Sequence, residues 1–293
     1  MLVFMGKHGE RGSRSEQGRL PLSGVAPSTL VQAESRPEFG YVSLGIEAVD
    51  EAMRGGLVCG GMTLVASRAR AGSTALMIGS ALEALEQNLS VLYVTDRLKE
   101  DQLRGRFVVR KSKVNGYRFR AGLAGESDRA KLEEARAAIA WDRLQILSRR
   151  SVQFEELRRV CRKQSPALVV ADYEPGRSED GRRPGYRTLE LGLEKLSELG
   201  HAIGAALAVR FVLPRGSCEP DRLELPGLGS IIQLFDAALF IHRDGDSPEE
   251  GSEDSASHAE AQIIRVQRRD IRCRRVPLLF DQRFGGLSML TES

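Results

Sequence analysis

The sequence predicts an α/β protein built on a mostly parallel β-sheet with helices on both faces. Six short apolar or β-branched runs alternate with segments of helical periodicity, an alternation typical of a parallel sheet. Several runs are apolar throughout, as strands are when both faces of a sheet are covered. The predicted strands are 62–66, 91–94, 144–147, 168–171, 203–209 and 237–241.

Two further runs, 261–266 and 276–280, end the pattern with no helix between them. Parallel neighbours need a long crossover connection, whereas antiparallel neighbours need only a short one. We therefore expect the sheet to finish in a C-terminal antiparallel hairpin.

Apolar residues recur at intervals of three and four between the strands, which indicates helices with one face in the core. Three such stripes are Leu132, Ala135 and Ile139; Phe154, Leu157 and Cys161; and Leu189, Leu193 and Leu196. Ser151 precedes the second stripe and is a suitable N-cap. We interpret the stripes as core packing rather than as binding surfaces.

The chain is long enough for one large domain with a tail. It has 293 residues, of which 41% are hydrophobic, and a net charge of +3. Residues 1–38 are rich in Gly, Ser, Arg, Glu and Pro without periodicity, so we expect a disordered or partner-ordered tail. The acidic, serine-rich stretch at about 244–259 predicts a disordered surface loop within a single domain over 39–293.

Composition also argues against several classes of protein. The four cysteines are scattered, with no CxxC pair and no histidine at ligand spacing, so neither a disulfide framework nor a zinc site is indicated. The apolar run at 202–213 is interrupted by Arg210 and falls short of the ~20 residues that span a bilayer. We expect a cytoplasmic protein with no membrane association.

A glycine-rich segment precedes the first predicted strand. Gly45-Ile-Glu-Ala-Val-Asp50 leads through Gly55-Gly56 and Gly60-Gly61 to the strand at 62–66, and Ser-Arg-Ala-Arg-Ala-Gly-Ser-Thr follows at 67–74. This order resembles the RecA-like domain of DnaB-family replicative helicases, in which a phosphate-binding loop of the form ARPSMGKT follows the strand. The resemblance implies a RecA-like P-loop NTPase fold from about residue 39 to the C-terminus.

The resemblance assigns a role to each residue of the loop. Arg68 matches the family's arginine, Gly72 its loop glycine, and Thr74 the hydroxyl that binds magnesium. Ser73 stands where the family has its lysine. Because a serine hydroxyl cannot offset the charge of phosphate oxygens, nucleotide affinity and transition-state stabilisation should both suffer. Arg70 is one candidate for a substitute cation.

Three further positions bear on catalysis. Leu-Val-Val-Ala-Asp-Tyr at 168–173 resembles the Walker B strand, which makes Asp172 the expected magnesium ligand; its other interpretation is a carboxylate that caps a loop. The family's catalytic glutamate is replaced by Arg97, and its glutamine sensor falls at or beside Arg210. Asp96, one residue from the glutamate position, is a poor replacement because neighbouring turn residues point in different directions.

The arginine-rich end of the sequence resembles the family motif IIAKQRNG. Ile-Ile-Arg-Val-Gln-Arg-Arg-Asp at 263–270 places the family's finger arginine at Arg268, while Val266 replaces its companion lysine. Arg265, Arg269 and Arg272 are candidates for contact with nucleic acid or a partner. The alternative is that these arginines are solvated and protect an edge of the sheet.

These replacements affect phosphate charge, water activation and γ-phosphate sensing. We therefore expect a degenerate, non-hydrolysing RecA-fold protein that binds or assembles partners in DNA replication or repair, with weak or absent binding of ATP and magnesium. The alternative is a weak ATP-dependent DNA helicase with rearranged catalytic residues. The two functions are distinguished by whether a basic side chain enters the phosphate loop, and Arg70 is the first candidate. Expected partners are further copies of the chain, a replicative helicase, or DNA.

Overall fold

The computed structural model describes residues 40–149, 151–178, 180, 182, 184–213, 229–243, 256–265 and 273–290. Of residues 229–230, 256–265 and 273 it describes the backbone only. The predicted tail at 1–38 and most of the predicted acidic loop lie outside these residues. No described helix has the length and apolarity to cross a membrane.

The described chain contains eleven β-strands and seven α-helices. The strands are β1 (Tyr41–Val42), β2 (Leu57–Val58), β3 (Met62–Ser67), β4 (Val91–Thr95), β5 (Leu144–Ser148), β6 (Leu168–Asp172), β7 (Ala206–Val212), β8 (Ala237–Arg243), β9 (Ala256–Arg265), β10 (Cys273–Asp281) and β11 (Gly286–Met289). The helices are α1 (Glu47–Ala52), α2 (Ser73–Glu86), α3 (Glu100–Ser112), α4 (Gly116–Arg120), α5 (Glu126–Ala138), α6 (Phe154–Gln164) and α7 (Tyr186–Ile203). Short 3-10 helices lie at Trp141–Arg143 and Gly229–Leu234.

Nine of these strands form one sheet in the order β11-β10-β9-β8-β3-β7-β6-β4-β5. The six strands from β8 to β5 run parallel, and β9, β10 and β11 add antiparallel strands at one edge. The predicted parallel sheet and C-terminal hairpin are therefore confirmed. β11, which is only four residues long, is not predicted from the sequence.

The two faces of the sheet have separate cores. On β3, Val65 packs into the cluster that contains the apolar residues of α2. Leu64 packs into the opposite cluster, which contains Leu157 of α6 and Leu193 of α7. This alternation follows from the two-residue period of a strand. Helices on both faces also explain why β3, β4 and β6 are buried along their whole length.

Several predicted boundaries are wrong by a few residues. Ile203 belongs to α7 rather than to β7, because Gly204 adopts φ +69° and ends the helix, a conformation that glycine adopts without strain. Ser151 is not the N-cap of α6; Gln153 holds that position, and the Ser151 hydroxyl donates to the Arg177 carbonyl at 3.1 Å. The acidic loop predicted to reach residue 259 ends earlier, since β9 begins at Ala256.

Asp50 and Gly56 fix the chain before β3. Asp50 accepts hydrogen bonds from the Ser43 hydroxyl and the Leu44 amide, both at 2.7 Å. Gly56 has φ +113°, and a Cβ there would lie 2.4 Å from the Val42 carbonyl oxygen. Only glycine fits so close an approach at that φ. The glycines noted in the sequence therefore position the strand that leads into the phosphate loop.

Substitution of Gly56 by alanine should lower the free energy of unfolding by about 2–3 kcal/mol, because it combines backbone strain with a steric clash. Chemical denaturation measures the change. Gly105→Ala is the matched control, since Gly105 lies within α3 and a Cβ there meets nothing within 4 Å. That substitution should raise stability by about 0.5–1 kcal/mol. Equal effects of the two substitutions would contradict the account of Gly56.

Candidate phosphate-binding site

The loop at 68–72 connects the end of β3 to the start of α2. Gly72 caps α2 with φ +115°, and Arg70 also has a positive φ of 69°. The first amides of a helix have no partner within the helix, so the N-terminus of α2 can bind an anion. Ser73 and Thr74 are the first two residues of α2. The loop therefore leads into a helix N-terminus, with Ser73 at the position where the resemblance predicts a lysine.

Three residues far apart in the sequence meet beside this loop. Arg210 of β7 lies between Asp172, the last residue of β6, and Ser73 of α2. Its Nη1 is 2.7 Å from Asp172 Oδ1, and its Nε donates to Ser73 Oγ at 3.1 Å. Ser67 Oγ donates to Ser73 Oγ at 2.8 Å. They meet because β3, β7 and β6 are consecutive in the sheet and parallel.

The Arg210–Asp172 ion pair is buried. The side chains are 8% and 1% exposed, respectively. Burial raises the pKa of Asp172, and the positive charge of Arg210 lowers it in part. The Tyr93 hydroxyl also donates to Asp172 Oδ2, at 3.4 Å, and burial raises the pKa of Tyr93. Both oxygens of the Asp172 carboxylate therefore accept hydrogen bonds from protein groups.

These contacts do not fit a magnesium site of the kind that the resemblance implied. Mg²⁺ requires near-octahedral oxygen ligands, usually one or two carboxylates with several waters. The Arg210 guanidinium already binds Asp172, and a metal ion would have to displace it from a buried pair. Among the described residues, no group of three histidine, cysteine or acidic side chains is placed to hold a metal ion.

Arg97 is the residue that the resemblance places at the position of the catalytic glutamate. Arg97 follows β4, and its side chain is 39% exposed. Burial and the positive charge of Arg210 lower its pKa. The adjacent Asp96 carboxylate lies 3.2 Å from Arg177 Nε and 3.9 Å from Arg97 Nε. Burial raises the pKa of Asp96, and the positive charges of Arg177 and Arg97 lower it in part.

A cleft of about 610 Å³ opens beside the loop. It lies between the N-terminus of α2, one side of α3, and the turn between β10 and β11. Its volume is within the range of small-molecule sites. Arginine is the dominant charged residue of its lining: Arg70, Arg106, Arg110, Arg120, Arg210 and Arg283, with Asp101 as the acidic member.

The predicted loop residues differ in their placement. Gly72, Ser73 and Thr74 line the cleft, and Arg68 is exposed at the start of the loop. The basic side chain that contacts Ser73 is Arg210, whereas Arg70 was the first candidate from the sequence. Arg265 ends β9, of which the structure describes the backbone alone. The predicted finger and contact arginines at 268, 269 and 272 lie outside the described residues.

The arginines on the far wall of the cleft are not among the site residues predicted from the sequence. Arg106 and Arg110 are four residues apart on α3, a spacing that places two side chains on one helix face. That spacing was the available signal. No sequence pattern indicates that this face is opposite the phosphate loop, nor that Arg120 of α4 and Arg283 join it.

This sheet order, with a phosphate loop between the central strand β3 and α2, defines a RecA-like ATPase fold. The family model for the DnaB-like helicase C-terminal domain matches residues 41–288. The chain therefore belongs to the family of DnaB-like helicase C-terminal domains.

Individual relatives are distant. The replicative DNA helicase DnaB of Treponema pallidum (strain Nichols) is 22% identical over 216 residues, which cover 71% of this chain and 49% of that protein. The chain thus spans about half the length of this curated relative.

Solved structures agree on the fold. The ATPase domain of G40P superposes with a TM-score of 0.69 at 20% identity, covering 87% of this chain and 94% of that one. A DnaB-like replicative helicase, solved in a study of its interactions with primase, superposes with a TM-score of 0.70 at 20% identity. There the coverage is 85% of this chain and 62% of the helicase.

Removal of Arg210 should destabilise the protein in a pH-dependent manner. Arg210→Met leaves Asp172 buried without its cation, which should cost about 3–5 kcal/mol near pH 8. Without Arg210 the pKa of Asp172 rises further, so the folded variant holds a proton that the unfolded chain has released. Its stability therefore falls as the pH rises through the folded pKa, and the deficit should be smaller near pH 5. Denaturant unfolding at both pH values measures it.

The double variant Asp172→Leu/Arg210→Met is the control, since it removes both charges. It should recover most of the lost stability, because an apolar pair of similar size often replaces a buried ion pair at little cost. It should also lack the additional pH dependence. A deficit in Arg210→Met that does not change with pH would show that Asp172 is not the group responsible.

Proposed function

We propose that this chain is a non-hydrolysing relative of the replicative helicases, a RecA-fold protein that binds or assembles partners in DNA replication or repair. The observation that carries the proposal is the buried contact of Arg210 with both Asp172 and Ser73. A guanidinium binds the carboxylate on which an active relative would depend for its metal ion. By the resemblance, the γ-phosphate sensor falls at or beside this same side chain.

Two further replacements support the proposal. Ser73 offers a neutral hydroxyl where the family has an ammonium group, and Arg97 replaces the carboxylate that would activate water. Phosphoryl transfer depends on positioning and on neutralising charge at the phosphate oxygens. A single loss is open to compensation by a neighbouring group. Here the lysine, the base and the sensor are all replaced, so a single neighbouring group cannot compensate for them.

The second candidate function is a weak ATPase, and Arg210 is the observation that favours it. A basic side chain does reach the loop and, in principle, replaces the charge of the missing lysine. Its charge, however, is largely offset by Asp172, which lies 2.7 Å away. The same contact occupies the expected ligand of the metal ion. Arg210 therefore supports binding of an anion better than it supports hydrolysis.

We further propose that the protein works in the cytoplasm and associates with copies of itself or with a replicative helicase. RecA-like domains with an arginine finger bind nucleotide between subunits, so Arg268 would act on the site of a neighbour. Arg265, Arg269 and Arg272 are proposed contacts to DNA phosphates or to an acidic partner.

The purified protein should show no steady ATP turnover with magnesium, in contrast to the ~1–10³ s⁻¹ of typical enzymes. Restoring the family residues should create turnover: in Ser73→Lys/Arg97→Glu/Arg210→Gln the lysine, the base and the sensor return, and Asp172 is released. Phosphate release measures both proteins. Ser73→Lys alone should not suffice, because the new ammonium would lie beside the Arg210 guanidinium and be repelled by it.

Asp172→Ala, added to the triple variant, should abolish the restored activity and so excludes a contaminating helicase. Turnover by the unmodified protein at about 1 s⁻¹ or faster, lost on Asp172→Ala, would overturn the proposal and favour the weak ATPase.

If Arg268 is donated to a neighbouring subunit, the protein should change the ATPase rate of the replicative helicase from the same cell. Arg268→Ala should remove most of that change, since arginine fingers contribute 10³–10⁵ to the rate in well-studied NTPases. Phosphate release by the mixed proteins measures it. Arg129→Ala, on the exposed surface of α5, is the control. The same rate with wild type and Arg268→Ala would rule out the donated finger.

A further inference from the structure

The cleft beside the phosphate loop concentrates positive charge. Arg210 pairs with Asp172, and Arg283 pairs with Asp281 at 3.0 Å. Arg106, Arg110 and Arg120 also line the cleft. None of these three forms an ion pair with any carboxylate in the described part of the chain. They are therefore available to an anion.

Two of these arginines, Arg110 and Arg120, are held in the wall by contacts that carry no negative charge. Arg110 Nη2 donates to the Leu287 carbonyl at 3.1 Å, and its guanidinium lies 5.6 Å from the Phe284 ring centroid. The Arg120 guanidinium lies 4.9 Å from the Tyr117 ring centroid. A guanidinium held by carbonyl and aromatic contacts keeps its charge and its remaining donors.

The neighbouring charges make the arrangement costly when no anion is present. Burial lowers the pKa of Arg110. Partial burial and the positive charges of Arg120 and Arg210 lower the pKa of Arg106, and Tyr93 and Asp172 raise it in part. Like charges held this close in a partly desolvated space repel one another. A bound polyanion would offset that repulsion, because its negative charges attract the arginines.

The cleft also has an aromatic side, formed by Phe119, Phe280 and Phe284. Phe119 is 41% exposed, which is unusual for a large apolar ring and leaves a face free to contact a ligand. The volume of about 610 Å³ suits one molecule of nucleotide size rather than a polymer.

We infer that this cleft binds a polyphosphate chain as the metal-free anion, with arginine side chains supplying the positive charge that the loop lysine and the magnesium ion provide in the family. Arg106, Arg110 and Arg120 supply further guanidinium donors, which match phosphate oxygens in geometry and charge. The inference deepens the proposed function, because it names the ligand of a site that carries out no hydrolysis. The expected effect of magnesium on affinity is opposite to that at a magnesium-dependent site. Mg²⁺ bound to the phosphates offsets two of the ligand's negative charges and should weaken binding.

Isothermal titration of the full-length protein with inorganic tripolyphosphate tests the inference, once in excess EDTA and once in excess magnesium chloride. The affinity should be about tenfold higher in EDTA, equivalent to the loss of one charge-assisted contact when magnesium binds the ligand. ATP, titrated under the same two conditions, separates the sources of the ligand. Tighter binding of ATP than of tripolyphosphate identifies a nucleotide whose base meets the aromatic side; equal binding identifies the phosphate chain alone. Both support metal-free binding.

Arg106→Gln and Arg120→Gln should each weaken binding in EDTA about tenfold. Both side chains are at the surface, so neither substitution should disturb folding, and a thermal melt checks this. Arg129→Gln on α5 is the matched control and should leave the affinity unchanged. Absence of binding in EDTA, binding that requires magnesium, or equal losses in all three variants would overturn the inference. None of those outcomes bears on the absence of hydrolysis, which phosphate release tests separately.

Discussion

A buried ion pair between Arg210 and Asp172 lies at the centre of the candidate site in this RecA-like domain. The two residues lie at the carboxyl ends of adjacent parallel strands, the edge at which α/β proteins of this kind bind their ligands. Their side chains are almost fully buried and 2.7 Å apart. Removal of either one would leave a buried charge without its partner. The phosphate loop, the strand edge and the arginine-lined cleft are all arranged around this pair.

The resemblance to the replicative helicases separates into two groups of residues. Asp50, Gly56 and Asp236 position the backbone. Asp50 accepts a hydrogen bond in the turn before β3, and Gly56 lets two segments of the chain approach closely. Asp236 accepts a hydrogen bond from the Met62 amide at 2.7 Å. Asp50 and Gly56 belong to the glycine-rich segment that carries the family resemblance. Ser73 and Arg97, by contrast, occupy positions whose role is electrostatic, and they differ from the family's residues there. The proposed loss of hydrolysis therefore concerns residues of electrostatic role rather than residues that position the backbone.

The positive cleft is a property of the fold rather than of the composition. The whole chain has a net charge of only +3, and acidic residues are almost as numerous as basic ones. The fold nevertheless places six arginines and one aspartate around a single cavity. Three of them, Arg106, Arg110 and Arg120, form no ion pair with a carboxylate in the described part of the chain, and their mutual repulsion costs free energy in the empty protein. Such an arrangement is a common sign that ligand binding rather than stability determines it. The Arg210–Asp172 pair and this cluster together make the site suited to anions.

The sequence by itself determined the parallel sheet, its antiparallel hairpin and the glycine-rich approach to the loop, because hydrophobic periodicity and glycine conformation are local properties. It also identified Ser73 and Arg97 as changes of charge. Tertiary structure alone decided which cation meets Ser73. Arg70, three residues away, was the first candidate, but Arg210 is the contact, although it lies 137 positions along the chain. Strand order and register set that proximity, and they depend on how the whole core packs.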